Sequence, residues 1–485
     1  MQACACRRSR VMSRMDEKLA VYFARTGDDP LRTAFAMRRA VMPWRRQQAV
    51  PAEGMAAAWA QVLDAVPGSH RIAYIHVPFC ANHCLFCGFY RNACSQDAMA
   101  HYTECLVAEI SREAARLPAG SAPVEALYLG GGTPSALSAQ QLERILNTAR
   151  QCLPLTDDCE VTLEARITHF DDDKIDACIA AGVNRISIGV QSFDTQVRRR
   201  QGRQSSREEA IHFLERLRAR EQLALVIDLL YGLPGQTQDV WQQDLRTAVA
   251  LAPDGVDLYG LNLIPGTPLQ RATANGKFPD MATLEHQSLS YRAGAAFLAA
   301  EGWNQLSNSH WQRTPLERNR YNRLIKEGVD CLAYGSGAGG LAGGHSYAID
   351  GDLTRYGEAV QAGRKPLAGL SVGDARQPAR QWVTAGFEAG RLDLAGLKSL
   401  APDPCLQQMQ YLAEQWQSAG LLRIEGSRLD LTLAGRFWAS NLIFAFDALL
   451  SGDAVPAYSS ASGGHPQQPR EPVFLRQVAD KEVVS

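Results

Sequence analysis

The stretch Tyr74–Tyr90, YIHVPFCANHCLFCGFY, decides how the rest of the chain is interpreted. It begins inside an apolar run, Ile72–Val77, which predicts a buried β-strand. Directly after this strand, Cys80, Cys84 and Cys87 follow one another in a CxxxCxxC spacing. Three thiolates in one loop can hold a [4Fe–4S] cluster and leave one iron open to an exogenous ligand. The spacing therefore predicts a cluster used for chemistry.

Two other interpretations of these cysteines stay open at the level of spacing alone. A structural zinc site needs four closed ligands, and His83 would have to be the fourth although it lies inside the first spacer. The thiols could also be unliganded. Cys94 follows soon after the motif but falls outside its spacing, so we expect it to be dispensable.

Composition excludes several classes of protein. The chain has 485 residues, with 50 Lys and Arg against 51 Asp and Glu, so its net charge of −1 offers no bulk attraction for nucleic acid. No stretch approaches the roughly 18 apolar residues of a membrane span, and the first residues lack the apolar segment of a secretory signal. Its 12 cysteines are mostly scattered, which is typical of reduced thiols. We expect a cytoplasmic protein that binds neither nucleic acid nor membrane.

Strand and helix patterns alternate six times after residue 70. Such alternation predicts a parallel sheet, because each right-handed crossover returns the chain to the same side. An incomplete barrel and a doubly wound open sheet both remain compatible, and both place functional residues at the carboxyl ends of the strands. The predicted strands are Ile72–Val77, Ala126–Leu129, Glu160–Glu164, Arg185–Val190, Leu223–Leu230 and Asp257–Leu263.

Polar and glycine residues stand at these strand ends in chain order. The second strand ends in the run GGGTPS, Gly130–Ser135, whose missing side chains let backbone N–H groups approach a charged ligand. Glu164 closes the third strand, and Asn262 stands at the rim of the sixth. Gln191, Arg203 and Asp228 appear in order at successive strand ends and would form a polar ring around a nucleoside or second ligand. Their alternative interpretations are a turn amide, a surface cation and an N-capping acid.

The cysteine motif after a first strand resembles that of the radical S-adenosylmethionine (SAM) enzymes. The blocks HVPFC, GGGTPS, GVQSFD, DLLYGLPGQT and IPGTPL resemble, within that superfamily, the coproporphyrinogen III dehydrogenase group and its haem-chaperone relatives. Two segments outside the barrel, Asp29–Trp44 and Arg318–Gly340, are similar to the anaerobic haem-utilisation methyltransferases of the ChuW/HutW group, as is Leu429–Phe444.

The resemblance implies an α/β fold: a partial (β/α)6 radical SAM barrel with an N-terminal extension and a mainly helical C-terminal accessory domain. The expected domains are an extension over 1–69, with its first part disordered or a gene-model addition before Met15, a barrel over 70–300 and an accessory domain over 301–450. A disordered tail is expected over 451–485, where Ser, Gly, Pro and Gln dominate.

The resemblance also implies a [4Fe–4S] cluster on Cys80, Cys84 and Cys87, with SAM on the open iron as the source of a 5′-deoxyadenosyl radical. Tyr74, Gly131 and Glu164 would bind the cluster-bound SAM. The residues expected around a second ligand pocket are Phe86, Gly132, Thr133, Gln191, Arg203, Asp228 and Asn262.

By the same resemblance, the enzyme methylates haem at a meso carbon, opens the ring and frees iron without oxygen. Its partners would be haem as substrate, an electron donor such as flavodoxin, and a carrier for haem or product. A haem chaperone without net chemistry and a porphyrinogen dehydrogenase remain alternatives. Phe89 argues against the dehydrogenase, because those enzymes carry a further cysteine at that position.

A glycine-rich segment, Gly335–Gly340, is the only candidate for a layer that closes over a flat macrocycle. Its alternative interpretation is a flexible hinge. Tyr334, His345 and Tyr347 bracket the segment, and each could stack on a porphyrin or ligate it.

Overall fold

The computed structural model describes residues 18–39, 47–64, 70–88, 92–117, 120–278 and 282–452. The residues before Met15, Phe89 and most of the expected tail lie outside this set. The described chain divides into two compact units, one spanning Gln47–Gly373 and the other combining the N-terminal segment up to Arg46 with residues 374–452. Each unit is described by itself.

The strands of the larger unit form one long sheet beside a small two-stranded one. In chain order they are β1 (Gln48–Ala49), β2 (Arg71–Val77), β3 (Phe79–Cys80), β4 (Asn92–Ala93), β5 (Val124–Gly131), β6 (Leu155–Ala165), β7 (Arg185–Gln191), β8 (Ala224–Tyr231), β9 (Gly255–Gly260), β10 (Asn304–Gln305), β11 (His310–Gln312), β12 (Asp330–Tyr334), β13 (Gly339–Ala342), β14 (His345–Ile349) and β15 (Leu367–Val372).

Strand order separates the two architectures that the alternation left open. Six of the parallel strands lie in the order β2-β5-β6-β7-β8-β9, so within this set each strand pairs with the next one along the chain. A doubly wound sheet would reverse direction at a switch point, and none occurs among these strands. The fold is therefore a partial (β/α)6 barrel, and all six carboxyl ends lie at one rim.

The helices of this unit follow the strands as expected. They are α1 (Met55–Asp64), α2 (Gln96–Ala114), α3 (Ala139–Cys152), α4 (Asp172–Ala180), α5 (Thr195–Arg200), α6 (Arg207–Arg218), α7 (Gln238–Leu251), α8 (Pro268–Ala274), α9 (Leu284–Ala300), α10 (Arg320–Glu327) and α11 (Leu353–Gln361), with short 3-10 turns at Ala52–Gly54 and Pro134–Ala136. Capping boxes start α3 at Ser138 and α6 at Ser206, where the side chain of the cap and that of the third helical residue bond each other's backbone.

Two sequence predictions differ from the structure. The sixth strand was expected to reach Leu263 but ends at Gly260, so Asn262 lies in the following loop with an exposed side chain. The expected boundary at residue 300 falls inside the large sheet, because β12 pairs in parallel with β2 and β11 pairs with β9. The chain from 301 to 373 therefore continues the barrel sheet.

The second unit has a winged-helix-like order after its short N-terminal turn Ala20–Tyr22 and helix Pro30–Thr33. Its elements are the helix Gln377–Ala389, β16 (Arg391–Asp393), the turn Leu394–Leu397, the helix Asp403–Ser418, β17 (Leu422–Glu425), β18 (Arg428–Leu431) and the helices Leu433–Phe437 and Ala439–Ser451. The three strands pair as β16-β18-β17. Trp416, Trp438 and Phe446 form its buried aromatic core. Within the described residues, no helix meets the length and hydropathy needed to cross a bilayer.

Candidate active site

The cysteine loop lies at the carboxyl end of β2 and begins with the short strand β3. Cys80 and Cys84 are buried, and Cys87 is half-buried. The Cys80 thiol lies 3.3 Å from the Thr133 hydroxyl, so the GGGTPS loop directly contacts the first cysteine. Burial raises the pKa of Cys80 above its ordinary value, and the Thr133 hydrogen bond and the Arg166 charge oppose that rise. Cys94 is exposed, next to the strand β4 that pairs with β3.

The backbone around this loop fits a cluster and a charged ligand. A Cβ atom at Gly132 would lie 2.6 Å from the carbonyl oxygen of Phe79, so only glycine lets the two loops come this close. Among the described residues, no three His, Cys, Asp or Glu side chains meet at a point suited to one metal ion. A [4Fe–4S] cluster does not need such a point, because each thiolate ligates a different iron.

A compact polar group surrounds Glu164 at the end of β6. Its carboxylate accepts hydrogen bonds from the Tyr128 hydroxyl at 2.7 Å and from the Gly131 N–H at 3.3 Å. Burial raises the pKa of Glu164, and both hydrogen bonds oppose that rise. Tyr74 stacks on Tyr128 with ring centroids 6.2 Å apart. The three residues predicted for cluster-bound SAM, Tyr74, Gly131 and Glu164, are thus brought together.

His76 explains why Gly131 is glycine. Gly131 has φ of +112°, and a Cβ there would meet three ring atoms of His76 within 2.8 Å. The His76 ring is fixed by a 3.0 Å contact between its Nδ1 and the Tyr74 hydroxyl. The imidazole therefore occupies the space beside the glycine loop and positions Tyr74.

A second group forms at the ends of β7 and β8. The Arg203 guanidinium donates to the Gly189 carbonyl at 2.6 Å, and the Gln191 amide also lies against Gly189. Gln191 takes a positive φ of +71° at a β-bulge, which a non-glycine residue seldom adopts. Asp228 is 3.2 Å from the Ser187 hydroxyl. Burial raises the pKa of Asp228, and the charges of Asp257 and Glu164 raise it further.

The two remaining predicted residues are Phe86 and Asn262. Phe86 is half-buried and packs against the apolar cluster formed by Val197, Leu230, Leu233, Leu261 and Leu269. Asn262 is exposed in the loop after β9. Phe86 thus has a packing role within the cysteine loop, and Asn262 lies in the exposed loop at the rim.

The glycine-rich segment is a buried turn between β12 and β13. Gly335 donates its N–H to the Glu109 carboxylate at 2.9 Å, and the segment from Gly335 to Ala338 is buried. Tyr334 and Tyr347 are 2% and 5% exposed, so neither ring is available to a macrocycle at the rim. His345 bonds the Gly343 carbonyl at the far end of the hairpin. The predictions of a mobile hinge and of stacking by these tyrosines are wrong, because the sheet and α2 enclose them.

Beneath the site, the barrel interior carries a buried charged group. His310 lies 3.0 Å from Asp257 and 3.3 Å from Glu317, and Glu317 pairs with Arg185 at 2.9 Å. Burial opposes the charge on His310, but the two carboxylates raise its pKa to about 9. Burial likewise opposes the charge on Glu317, yet Arg185 and His310 lower its pKa to about 2. The four side chains thus form a buried network of ion pairs inside the barrel.

Sequence reasoning missed Arg166, Asn82, Tyr128 and His76. Arg166 donates to the Cys84 sulfur at 3.0 Å and to the Asn82 carbonyl at 3.2 Å. Their positions in the sequence could have identified two of them. Arg166 stands two residues after Glu164 at a strand end, and Asn82 lies inside the first cysteine spacer.

Comparison with known proteins identifies the family of the chain. Residues 74–248 match the Radical SAM superfamily. The chain is 45% identical to "Anaerobilin synthase" of Escherichia coli O157:H7 over 90% of this chain and 97% of that protein. It is 31% identical to "Heme chaperone HemW" of Lactococcus lactis over 59% of this chain and 73% of that protein.

A solved structure supports the fold independently. The coproporphyrinogen III oxidase HemN of Escherichia coli, described as a radical SAM enzyme, aligns with a TM-score of 0.71 at 24% identity, covering 81% of this chain and 94% of that one. The similarity spans the barrel and continues well beyond it. The chain therefore belongs to the radical SAM superfamily and, within it, to the group that contains anaerobilin synthase and the coproporphyrinogen oxidase-like proteins.

Proposed function

We propose that this protein is a radical SAM enzyme of anaerobic haem breakdown, which methylates haem at a meso carbon, opens the ring and releases iron. One observation carries the proposal: the 45% identity to anaerobilin synthase extends over 97% of that protein, including the segments outside the barrel. The part of the chain shared with chaperones does not separate the two activities, because the HemW relatives also match 59% of this chain.

The family's cofactors are a [4Fe–4S] cluster and SAM, and the residues present fit both. When bound, the reduced cluster would supply the one electron that cleaves SAM to methionine and a 5′-deoxyadenosyl radical. Cys80, Cys84 and Cys87 would ligate three irons. Glu164 would accept a hydrogen bond from the ammonium of SAM, because its carboxylate already faces the N–H of Gly131.

The residues at β7 and β8 would hold a second ligand near the first. Arg203 supplies a fixed cation for a carboxylate, and Gln191 supplies an amide held by the bulge. The raised pKa of Asp228 means that part of its population is protonated near neutral pH, so the carboxyl can both donate to and accept from a hydroxyl. A polar site of this kind suits a second SAM molecule as methyl donor better than it suits the apolar face of haem.

Haem would then lie across the open rim, where the barrel exposes apolar side chains. Tyr259, at the end of β9, is 39% exposed, and Leu263 in the following loop is 42% exposed. We expect these side chains, and not the enclosed turn at Gly335, to contact the macrocycle. An electron donor such as flavodoxin and a carrier for haem or product complete the proposed set of partners.

The test is an anaerobic reaction of reconstituted protein with haem, SAM and a chemical reductant, followed by mass spectrometry and iron release measurements. The expected products are S-adenosylhomocysteine, 5′-deoxyadenosine and a methylated, ring-opened tetrapyrrole. A variant with Ala at all three motif cysteines should give none of them, whereas Cys94→Ala should retain them.

Two results would assign one of the alternative functions. Haem that binds tightly but is recovered intact after many SAM cleavage events would assign a chaperone function. Conversion of coproporphyrinogen III to a divinyl product would assign a dehydrogenase, despite Phe89 at the position of that group's further cysteine.

A further inference from the structure

Arg166 ties the cysteine loop to three neighbouring segments. Its guanidinium donates to the Cys84 sulfur at 3.0 Å, to the Asn82 carbonyl at 3.2 Å and to the Asn82 side-chain oxygen. Its backbone N–H donates to the Ser135 hydroxyl at 3.2 Å, after the glycine loop. Asn82 in turn donates to the Gly202 carbonyl at 2.6 Å, beyond α5. Arg166 and Asn82 together therefore link the cysteine loop to the segments that follow β5, β6 and β7.

The charge of Arg166 is directed at sulfur. Its described side-chain hydrogen bonds go to Asn82 and Cys84, and none goes to a carboxylate. Arg203 approaches the same sulfur and also bonds the Gly189 carbonyl. Two guanidinium groups thus approach the middle cysteine of the motif, whereas in the described part of the chain the hydrogen-bond partner of the Cys80 sulfur is the neutral Thr133 hydroxyl.

Hydrogen bonds and cations at a ligating sulfur change the reduction potential of an iron–sulfur cluster. Reduction adds one electron, and hence one negative charge, that is spread over the irons, sulfides and thiolates. A nearby fixed cation and an N–H···S bond stabilise this extra charge more than they stabilise the oxidised cluster. The potential therefore rises, and a weaker electron donor suffices.

We propose that Arg166 is a positioning residue that raises the reduction potential of the cluster through its bond to Cys84 and holds the loop in its ligating shape through Asn82. The electron comes from a low-potential donor protein and resides on the cluster, so no other atom is transferred. This role depends on the cluster alone and is independent of whether haem is the substrate.

The experiment is an EPR-monitored redox titration of the full-length, anaerobically reconstituted protein without SAM or haem. The variants are Arg166→Gln, which removes the charge and the fork of donors, and Arg166→Lys, which keeps the charge but loses the bidentate geometry. Asn82→Ala removes the side-chain link to the loop without changing charge. Arg144→Gln, on an exposed ion pair with Glu104, is the matched surface control.

In Arg166→Gln we expect at least a tenfold higher ratio of oxidised to reduced cluster at the wild-type midpoint, which equals about 59 mV for a one-electron couple. Arg166→Lys should shift in the same direction by at least threefold, and Arg144→Gln should not shift. Asn82→Ala should lower the iron content or speed cluster loss while its midpoint stays within twofold of wild type.

An unchanged or higher midpoint in Arg166→Gln with normal iron and sulfide would overturn the proposal. If Arg166→Gln fails to retain the cluster, the same criterion applies to Arg166→Lys. Because no substrate is present, a failed haem reaction would leave this result unaffected, and the two proposals can fail separately.

Discussion

Replacing Glu164 by Gln should weaken SAM binding without loss of iron. The carboxylate lies against the Gly131 N–H and the Tyr128 hydroxyl, and it is the acidic group that the site offers to an ammonium. A hydrogen bond to a charged group contributes about 1.5–3 kcal/mol. Because about 1.4 kcal/mol changes an affinity tenfold, the dissociation constant should rise about 10- to 100-fold.

The assay is calorimetric titration of SAM into reconstituted protein, with iron content measured on the same sample. Glu143→Gln, an exposed change on α3, is the matched control and should bind normally. Burial raises the pKa of Glu164, so its ionised form costs free energy in the folded protein at neutral pH. The thermal midpoint of apo Glu164→Gln should therefore hold or rise, which separates lost binding from unfolding.

The pH dependence provides an independent test of the same reasoning. The Glu164 pKa is raised, so the carboxylate becomes protonated on acidification at a higher pH than an ordinary glutamate near about 4.3. SAM affinity of the wild type should fall as the pH drops through that raised value, and Glu164→Gln should show a flat profile in the same range. A dissociation constant within about threefold of wild type, at normal iron content, would remove Glu164 from the site.

Three further predictions follow from the same geometry. Protein with Ala at all three motif cysteines should lose the cluster signal in EPR, whereas Cys94→Ala should keep its iron and sulfide; a cluster retained in the first variant would refute the ligand assignment. Gly131→Ala should lower SAM affinity at least about tenfold, since the new methyl would overlap the His76 ring; normal binding would show that the loop relaxes. Asp228→Asn should stabilise the apo protein by about 1 kcal/mol or more at pH 8 and have no effect at pH 4. The reason is that the raised carboxyl pKa makes the stability of the wild type fall as the pH rises above about 4. Chemical denaturation at both pH values is the measurement, and equal effects would contradict the prediction.

The barrel strands were predictable because they are buried on both faces and therefore appear as apolar runs. Their ends were predicted less well. Strand β6 begins at Leu155, five residues before its predicted start, because Asp157 and Asp158 extend the strand into solvent and interrupt the apolar pattern. The sixth strand was predicted too long because Leu261 is apolar, but it packs in a loop cluster beyond the strand. An apolar residue indicates that its position is buried, but a buried position need not lie in a strand.

Residues at the site were predictable where several of them share a local motif. The cysteines, the glycine loop and Glu164 follow strands in a fixed order, so sequence alone could group them. Arg166 carries no such signal, because its partner Cys84 is 82 residues away and only the packing of β6 beside the loop joins them. The aromatic residues around the glycine-rich segment were assigned to the wrong surface, since the parallel pairing of β12 with β2, which encloses Tyr334, leaves no mark in the local sequence.

The charges inside the barrel explain how several carboxylates can face one small lumen. Asp228 and Asp257 are cross-strand partners, and Glu164 contributes to the raised pKa of Asp228. His310, with a pKa of about 9, is protonated at neutral pH and forms an ion pair with Asp257. The Asp228 carboxylate accepts a hydrogen bond from the Ser187 hydroxyl, and burial together with the charges of Asp257 and Glu164 raises its pKa, so it is the carboxyl that takes up a proton. In the proposed function, the Glu164 carboxylate would accept from the ammonium of SAM, and the Asp228 carboxyl, with its raised pKa, would donate to a hydroxyl.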